Sequence, residues 1–295
     1  MNNWGTDKQA EPAGISAPVS SVRQYYERNT QLFLLPGRRK QTGSIHRAIW
    51  APGVGDLITA LNYSNELVRS QLDELSQQNP GEIVQVADLG CGVGGSLTYL
   101  ASRLAGVFWG VGATISPHQA QLAWDQAQQL GLGERCTFIE ADYLALPLPG
   151  IVDAAYSIEA FAHTPDPQRY FCEASRILRS GGRLLLCDDF QDEHAEPDNF
   201  WLNSFQRGWQ AAGVSSLSQA EELARRCGLH LVDQQDLTPY LRLSRLSARL
   251  ARWLVLAGLR SRDPYWQSVA GGIALQQALK AGIVTYLFIV FEKSA

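Results

Sequence analysis

Long apolar segments are absent from this chain of 295 residues. The longest apolar stretch, over 283–291, is interrupted by Thr285 and is far shorter than the roughly 18–20 residues that a membrane-spanning helix needs. The opening residues, MNNWGTDKQAEPAG, are polar, so no secretory signal is expected. With 45% apolar residues, the composition predicts a globular cytoplasmic protein with a substantial core and no stable membrane insertion.

An excess of positive charge is absent as well. The chain has 25 Lys and Arg against 29 Asp and Glu, a net charge of −4, whereas proteins that act mainly on nucleic-acid phosphates are usually basic. We therefore expect no nucleic-acid partner. The five cysteines are scattered, without a C-x-x-C pair or histidines at zinc-binding spacing, so we expect no metal site. Cys91 and Cys187 are interpreted as small buried residues, and the compartment as reducing.

Strand and helix patterns alternate along most of the chain. From Ile83 onward, short β-favouring runs are separated by helical runs and tight turns, which predicts a doubly wound α/β sheet. Residues 1–20 are rich in Pro, Gly, Ser and Ala and are expected to be flexible. Residues 21–80 are predicted to form a helical N-terminal segment, including one amphipathic helix over 57–78. Residues 81–295 form the main domain, with a helical insertion over 238–282.

A glycine-rich turn follows the first strand of this domain. Gly90, Gly92 and Gly95 satisfy the G-x-G-x-x-G pattern of dinucleotide-binding turns. Those turns are normally followed about 20 residues later by an acidic residue that binds the ribose, but no Asp or Glu occurs between Gly90 and Trp124. Asp88 instead precedes the glycines, and a carboxylate at this place suits a cationic or hydroxyl-bearing ligand better than a pyrophosphate. The loop therefore favours S-adenosylmethionine over NAD.

The D-x-G-x-G-x-G loop resembles motif I of the class I S-adenosylmethionine-dependent methyltransferases, and three later segments lie in register with that family. These are Gly112–Gln119 (GATISPHQ), which resembles the G-x-T-L-S-P-x-Q segment of the tocopherol, sterol and cyclopropane-fatty-acid branch; Glu140–Tyr143 (EADY); and Glu173–Gly182 (EASRILRSGG), where Ser180 replaces the usual Pro. The resemblance covers about residues 82–190. It implies a Rossmann-like sheet of seven strands with the last strand antiparallel, and an N-terminal helical lid.

The same resemblance implies which residues bind S-adenosylmethionine. Thr114 takes the place of the ribose-binding acid of most relatives, and Asp142 matches the residue that contacts the adenine amino group. The expected cofactor-binding residues are Asp88, Gly90, Gly92, Gly94, Thr114, Ser116, Gln119, Asp142, Tyr143 and Ile158.

Two candidate catalytic residues follow the fourth predicted strand. Glu159 and His163 lie in a segment that resembles the S-x-E-x-x-x-H segment of tocopherol and sterol methyltransferases, and their i,i+4 spacing places them on one face of a helical turn. Terpenyl diphosphate C-methyltransferases carry a Glu at the matching position. Methylating an alkene leaves a carbocation, which needs a base to remove a proton. The alternatives are that Glu159 holds substrate or a backbone amide, and that His163 caps or packs.

Aromatic residues cluster in the segments that cover the acceptor pocket in this branch. Five of the eight Trp residues lie in these segments, outside the motif-bearing half, which favours an apolar acceptor or a cationic intermediate under aromatic rings. An ordinary core is the alternative interpretation. The expected acceptor-binding residues are Tyr25, Tyr26, His46, Trp50, Phe161, Trp201, Phe205 and Trp209.

Two charged segments leave alternatives open. Residues 241–262 contain six Arg and no acid, and Arg242, Arg245, Arg249 and Arg252 would form one stripe of a helix. Such a helix could bind a diphosphate, make weak contact with an anionic membrane surface, or be a solvated face. The run DDFQDE from Asp188 matches a D-D-x-x-D pattern for magnesium diphosphate, but a solvated acidic loop is the preferred interpretation.

Together these features predict an S-adenosylmethionine-dependent methyltransferase of secondary metabolism that acts on a lipophilic small molecule. C-methylation of an isoprenoid (a terpenyl diphosphate, a sterol or a prenyl-phenol) is the preferred reaction, and O- or N-methylation of a polyketide, phenol or alkaloid is the alternative. A protein that binds the cofactor without turnover, or an NAD-linked oxidoreductase, is the competing class. A homodimer is left open.

Overall fold

The structure is a computed structural model that describes residues 46–78, 80–104, 108–196, 198–212 and 214–294. Its centre is a seven-stranded sheet with the order β3-β2-β1-β4-β5-β7-β6. Strands β1 to β5 are parallel, and β7 runs antiparallel between β5 and β6. The strands are β1 (Val84–Leu89), β2 (Phe108–Thr114), β3 (Cys136–Glu140), β4 (Val152–Ile158), β5 (Leu178–Gln191), β6 (Leu229–Asp236) and β7 (Val284–Lys293).

Helices connect these strands and cover both faces of the sheet. Several begin as the sequence indicates: Ser116 caps one helix with Pro at its first position, and Ser216 forms a capping box with Gln219 in another. The helices are α1 (Leu57–Leu61), α2 (Tyr63–Gln78), α3 (Gly95–Arg103), α4 (Pro117–Gln129), α5 (Pro167–Ile177), α6 (Phe200–Trp209), α7 (Leu217–Arg226), α8 (Ala248–Leu259) and α9 (Pro264–Lys280), with short 3-10 helices at Phe161–His163 and Thr238–Tyr240.

Two apolar cores lie on the two faces of the sheet. One combines Val86, Tyr156 and Val290 with helices α2, α3, α8 and α9, and the other contains Phe161, Tyr170 and neighbouring rings. Strand β4 is buried along its whole length because helices cover it from both sides. No helix within the described ranges is long and apolar enough to span a bilayer.

The predicted sheet, with its last strand antiparallel, is confirmed, and α8 and α9 lie between β6 and β7. The predicted helix over 57–78 is wrong in one respect, since it is interrupted at Asn62. This residue has a φ of −96° and a ψ of 3°, outside helical geometry, and its amide donates to the Ile58 and Thr59 carbonyls at the end of α1. The expected helical stripe of four arginines is also wrong. Helix α8 begins only at Ala248, so Arg242 and Arg245 precede it.

The predicted solvated loop at Asp188 is wrong as well. Asp188 and Asp189 belong to β5 and are both 1% exposed. Cysteines provide a further difference, since Cys172 of α5 and Cys227 after α7 form a disulfide, which the scattered spacing did not suggest. Cys91, Cys136 and Cys187 are free and buried. The predicted flexible terminus and most of the N-terminal helical segment lie outside the described residues.

Candidate active site

The glycine loop begins at a buried carboxylate. Asp88 lies near the carboxyl end of β1, paired in register with Gly112 of β2 and Tyr156 of β4, and is 3% exposed. The Tyr156 hydroxyl donates a hydrogen bond to Asp88 Oδ2 at 2.8 Å. Burial raises the pKa of the Asp88 carboxyl to about 7, although the bond from Tyr156 acts in the opposite direction. A cationic ligand group beside Asp88 would favour its ionised form.

Backbone bonds hold the loop in a fixed shape. The amides of Gly90 and Cys91 both donate to the Ala113 carbonyl of β2, at 3.0 and 2.9 Å. Gly92 has a φ of 53°, and a Cβ placed there would meet no atom within 4 Å, so the space above this residue is open. The loops after β1 and β4 pack closely at Gly90, because a Cβ on this residue would lie only 2.6 Å from the Ala160 Cβ.

Thr114, Ser116 and Gln119 bond to one another at the end of β2. The Thr114 hydroxyl donates to Gln119 Oε1 at 2.9 Å and accepts from the Ser116 amide at 3.3 Å. Ser116 Oγ in turn accepts from the Gln119 amide and caps α4. All three side chains are buried. The turn that resembles the G-x-T-L-S-P-x-Q segment therefore contains a buried, hydrogen-bonded cluster of polar side chains between β2 and α4.

The segment after β3 reaches the same edge of the sheet. Asp142 is partly exposed, and its Oδ1 accepts from the Leu144 amide at 2.9 Å. Tyr143 lies beside the glycine loop, and its hydroxyl donates to the Ala160 carbonyl at 3.4 Å. Burial raises the pKa of Tyr143, so the phenol stays neutral. Ile158, the last residue of β4, is buried.

Glu159 follows β4 in a conformation that non-glycine residues seldom adopt, with a φ of 55°. Its amide donates to the Cys187 carbonyl of β5 at 2.9 Å. Its carboxylate Oε1 accepts from the Arg47 amide and from the Tyr286 hydroxyl, each at 2.9 Å, and lies 3.3 Å from Arg47 Nε. Burial alone would raise the pKa of Glu159, but the charge of Arg47 and these hydrogen bonds outweigh it and lower the pKa.

Arg47 joins Glu159 to a second carboxylate. Its Nη1 and Nη2 donate to Asp189 Oδ1 and Oδ2 at 2.8 and 2.7 Å, and its guanidinium lies 4.0 Å from the centre of the Tyr286 ring. Burial raises the pKa of Asp189 although Arg47 opposes the shift. Neither Arg47 nor Tyr286 was a predicted site residue. The adjacent acids Asp188 and Asp189 were the available signal, but they suggested a loop or a magnesium ligand.

Asp188 points to a different set of partners. Its Oδ2 accepts from the Ala162 amide at 3.2 Å, and its Oδ1 accepts from the Asp189 amide at 2.8 Å. Burial and the neighbouring charge of Asp189 raise the pKa of Asp188 to about 7. Within the described ranges, no group of three or more His, Cys, Asp or Glu residues is arranged to hold a metal ion.

His163 does not share a helical turn with Glu159, because the 3-10 helix begins at Phe161. Burial lowers the pKa of His163 to about 4, although hydrogen bonds with the backbone of Gln210 and Trp209 and the charge of Glu159 act to raise it. The imidazole is therefore neutral near pH 7. Its backbone partners connect the segment after β4 to the end of α6.

The expected acceptor-binding residues occupy varied environments. His46 Nε2 shares a hydrogen bond with the Ser96 hydroxyl at 2.6 Å, and burial lowers the pKa of His46. Trp50 is partly exposed beneath the guanidinium of Arg242, 3.2 Å from the ring centre. Tyr25 and Tyr26 lie outside the described residues.

The remaining aromatic candidates pack against neighbouring elements. Phe161 and Phe205 are fully buried in the two cores, whereas Trp201 and Trp209 are partly exposed. Trp209 donates from Nε1 to the Ser268 carbonyl at 2.9 Å, and its ring lies close to Gly271 of α9. Their roles as acceptor contacts stay predictions.

The edge of the sheet offers groups that suit S-adenosylmethionine. Asp88 has a carboxyl whose ionised form a cationic group would favour, the space above Gly92 is open to close approach of a ligand to the backbone, and the carboxylate of Asp142 is partly exposed. The geometry therefore fits an adenosine that carries an amino acid better than a dinucleotide pyrophosphate.

Comparisons with known proteins agree with this geometry. A family model described as a methyltransferase domain matches residues 87–186. Methyltransferase GfsG from Streptomyces halstedii is 32% identical over 168 residues, which cover 57% of this chain and 57% of GfsG. The 24-methylenesterol C-methyltransferase 2 of Arabidopsis thaliana is 30% identical over 173 residues, covering 56% of this chain and 46% of the plant protein. The chain thus spans about half the length of these curated relatives.

A solved structure of similar fold extends over nearly the whole chain. A geranyl diphosphate methyltransferase in complex with geranyl diphosphate and sinefungin has a TM-score of 0.74 and 20% identity, covering 95% of this chain and 99% of that protein. The four sequence motifs, the observed strand order and these matches lead to one assignment. Residues 87–186 are a methyltransferase domain, and the seven-stranded sheet with its last strand antiparallel is the fold of the class I S-adenosylmethionine-dependent methyltransferases.

Proposed function

We propose that the protein methylates a carbon atom of a lipophilic small molecule in secondary metabolism. The acceptor class that we propose is an isoprenoid of the terpenyl diphosphate, sterol or prenyl-phenol type. The observation that carries this proposal is the state of Glu159, a carboxylate held ionised by Arg47 and Tyr286 where the acceptor is expected. The C-methyltransferase activity in the name of a matched relative also supports it.

S-adenosylmethionine supplies a methyl group bound to a sulfonium sulfur. When the bond between sulfur and the methyl carbon breaks, the sulfur becomes the neutral thioether of the leaving group. In the proposed arrangement Asp88, the glycine loop and Asp142 bind this cofactor, while the sheet edge and its aromatic neighbours exclude water from the acceptor. Transfer by in-line displacement then depends mainly on the positions of the two reactants. The methyl carbon forms a bond to one alkene carbon, and the positive charge appears on the other.

Glu159 then accepts a proton from a carbon next to the cation, which restores a double bond. A lowered pKa suits this step, since a carbocation is so strong an acid that even a weak carboxylate base removes its proton. The same carboxylate stabilises positive charge before the proton leaves. By contrast, Glu159 with its lowered pKa is too weak a base to deprotonate a phenol, whose pKa is near 10. His163, with a pKa of about 4, is also a weak base.

The experiment uses cofactor with a tritiated methyl group and panels of terpenyl diphosphates, sterols, prenyl-phenols, simple phenols and amines. The proposal expects turnover with an alkene acceptor, a product carrying a new carbon–methyl bond, and a loss of about 100-fold or more in Glu159→Gln. The amide keeps an oxygen that accepts from Arg47 and Tyr286, so the fold is expected to persist.

Cofactor binding supplies the control. Calorimetry should give the same affinity for S-adenosylmethionine in Glu159→Gln as in the parent protein, and a much weaker affinity in Asp88→Ala. Equal affinity in the Asp88 variant would contradict the assigned cofactor site. Turnover confined to phenols or amines and unchanged in Glu159→Gln would contradict the C-methylation proposal.

A further inference from the structure

Exposed apolar side chains are concentrated in one short part of the chain. Among the described residues, five of the eleven large apolar side chains that are exposed lie between Leu250 and Trp266. Trp253 is 66% exposed and Trp266 is 52% exposed. The five residues are Leu250, Trp253, Leu256, Tyr265 and Trp266. Such clustering of large apolar groups on a surface marks an interaction site more often than a scattered distribution does.

The outer face of α8 carries this pattern. Ala251, Val255 and Leu259 are buried and fix the inner face of the helix. At 100° per residue, Leu250, Trp253 and Leu256 fall on the opposite side. The start of α9 lies beside the end of α8, since a Cβ on Gly258 would be 2.9 Å from the Trp266 carbonyl oxygen. Tyr265 and Trp266 therefore extend the apolar surface beyond the helix.

Positive charge is interspersed with these apolar residues. Residues 241–262 contain six Arg and no Asp or Glu, so the remaining chain carries a net charge of −10. Arg249, Arg252, Arg260 and Arg262 are exposed. None of the ion pairs found between described residues involves any of the six arginines. Within the described ranges, no carboxylate therefore lies at ion-pair distance from these six arginines.

A groove of about 470 Å³ runs along one side of this surface, between α6 and α8. Three arginines, Arg207, Arg252 and Arg260, line it together with Phe200, Leu256 and one carboxylate, Asp198. The Arg252 guanidinium lies 4.0 Å from the centre of the Phe200 ring, and Arg207 Nη2 bonds the Leu259 carbonyl at 3.5 Å. Cationic groups beside apolar walls provide a place for a phosphate group attached to an apolar chain.

We propose that this basic-apolar surface, formed by Leu250, Trp253, Leu256, Tyr265 and Trp266 with the arginines of 249–262 and Arg207, docks on an anionic phospholipid bilayer. Tryptophan and tyrosine favour the headgroup region, where arginine can pair with lipid phosphates while its aliphatic part stays among apolar groups. A two-fold contact between copies would instead bring together two surfaces in which five arginines (Arg207, Arg249, Arg252, Arg260 and Arg262) outnumber the two carboxylates of Asp198 and Asp263. The surface lies on the membrane and does not span it.

The test is flotation of the full chain with vesicles of phosphatidylcholine alone and of phosphatidylcholine mixed with phosphatidylglycerol. We expect the protein to float with the anionic vesicles at low salt, to remain behind with the neutral ones, and to be released by high salt. Neither cofactor nor acceptor is added, so the result is independent of the proposed methyl transfer.

Matched variants assign the binding to this surface. Trp253→Ala and Trp266→Ala are expected to lower the vesicle partition coefficient about tenfold each, and Arg249→Gln and Arg260→Gln about fivefold each. Trp124→Ala, at an exposed Trp of α4, and Arg225→Gln, at an exposed Arg of α7, are the controls and should bind as the parent does. Circular dichroism checks that all variants keep the fold.

Three results would overturn the proposal. The first is failure of the parent protein to float with anionic vesicles, and the second is equal binding to neutral and anionic vesicles. The third is an equal loss of binding in the control variants. Light scattering separates the main rival: a dimer that dissociates in Trp253→Ala, together with absent vesicle binding, would assign the surface to contact between copies.

Discussion

The guanidinium of Arg47 forms two parallel hydrogen bonds with the carboxylate of Asp189, at 2.8 and 2.7 Å. The same side chain lies 3.3 Å from Glu159, so one buried cation serves two carboxylates that come from the ends of β4 and β5. Its orientation is further fixed by the Tyr286 ring of β7. The position of the proposed base therefore depends on a residue distant from it in the sequence.

Removal of Arg47 should destabilise the fold strongly. Arg47→Ala leaves Glu159 and Asp189 buried without their cation, which costs about 3–5 kcal/mol in the free energy of unfolding. Urea unfolding monitored by circular dichroism measures this loss. Arg69→Ala is the matched control, because Arg69 pairs with Glu66 on the surface of α2 and should cost about 1 kcal/mol or less. Equal losses in the two variants would contradict the buried ion-pair cluster.

Stability should depend on the ionisation of Asp188. Its pKa is about 7 in the fold and 3.8 is the ordinary value, so the folded state favours the protonated form. Its contribution is fully present below pH 4 and is lost as the pH rises through 7. Asp188→Asn, which keeps one of the two acceptor oxygens and does not ionise, should therefore gain stability relative to the parent as the pH rises from 4 to 7, by on the order of a few kcal/mol.

Asp56 should give the opposite dependence of folding stability on pH. Hydrogen bonds from Thr59 lower the pKa of the Asp56 carboxyl at the start of α1. Its contribution is fully present above the ordinary pKa of 3.8 and is lost as the pH falls through the lowered pKa of the folded state, so Asp56→Asn should be less stable than the parent above pH 4 and should lose that deficit at lower pH. Urea unfolding over a pH series measures both differences. The same slope in both variants would show that neither carboxyl is perturbed as described.

A substitution at Gly92 should weaken cofactor binding in addition to lowering the stability of the fold. Gly92→Ala and the control Gly131→Ala both force alanine into a positive φ, at 53° and 69°, and neither new Cβ meets another atom within 4 Å. Each should lose about 1–2 kcal/mol of folding stability. Only Gly92→Ala should bind S-adenosylmethionine more weakly, by about tenfold, in calorimetry. Parent-like affinity in Gly92→Ala would place the cofactor elsewhere.

The bond between Cys172 and Cys227 should be detectable in solution. Thiol titration of the denatured protein should find three reactive thiols without reductant and five after reduction. Cys172→Ser with Cys227→Ser should lower the free energy of unfolding by about 2–4 kcal/mol, because the bond closes a long loop between α5 and the end of α7. Added reductant should abolish that difference. Five thiols in untreated protein would show that the bond does not form.

The parts of the fold that depend on local pattern were predictable. Alternating strands and helices, the Ser116-Pro117 helix start and the glycine loop after β1 each depend on a few neighbouring residues, and they lie close to where the sequence indicates. Glu159 could also be located at the end of β4, because the carboxyl ends of parallel strands meet at one edge.

The electrostatic surroundings of Glu159 were not predictable in this way. Arg47 is 112 residues from Glu159 and 142 from Asp189, and only the placement of β7 beside β5 brings Tyr286 to the same point. Two adjacent acids are unusual in a strand, so Asp188 and Asp189 suggested a loop. In β5 the alternation of side chains sends them to different partners, and both are satisfied there.

The place of β7 in the sheet also constrains the order in which the protein can be made. Strand β7 is the last strand of the chain, yet it lies between β5 and β6 and carries Tyr286. During synthesis, one edge of β5 stays unpaired and β6 has no neighbouring strand in the sheet until Val284–Lys293 has left the ribosome. A nascent chain can therefore assemble its glycine loop early, but Glu159 gains its last hydrogen-bond donor only when translation has passed β7.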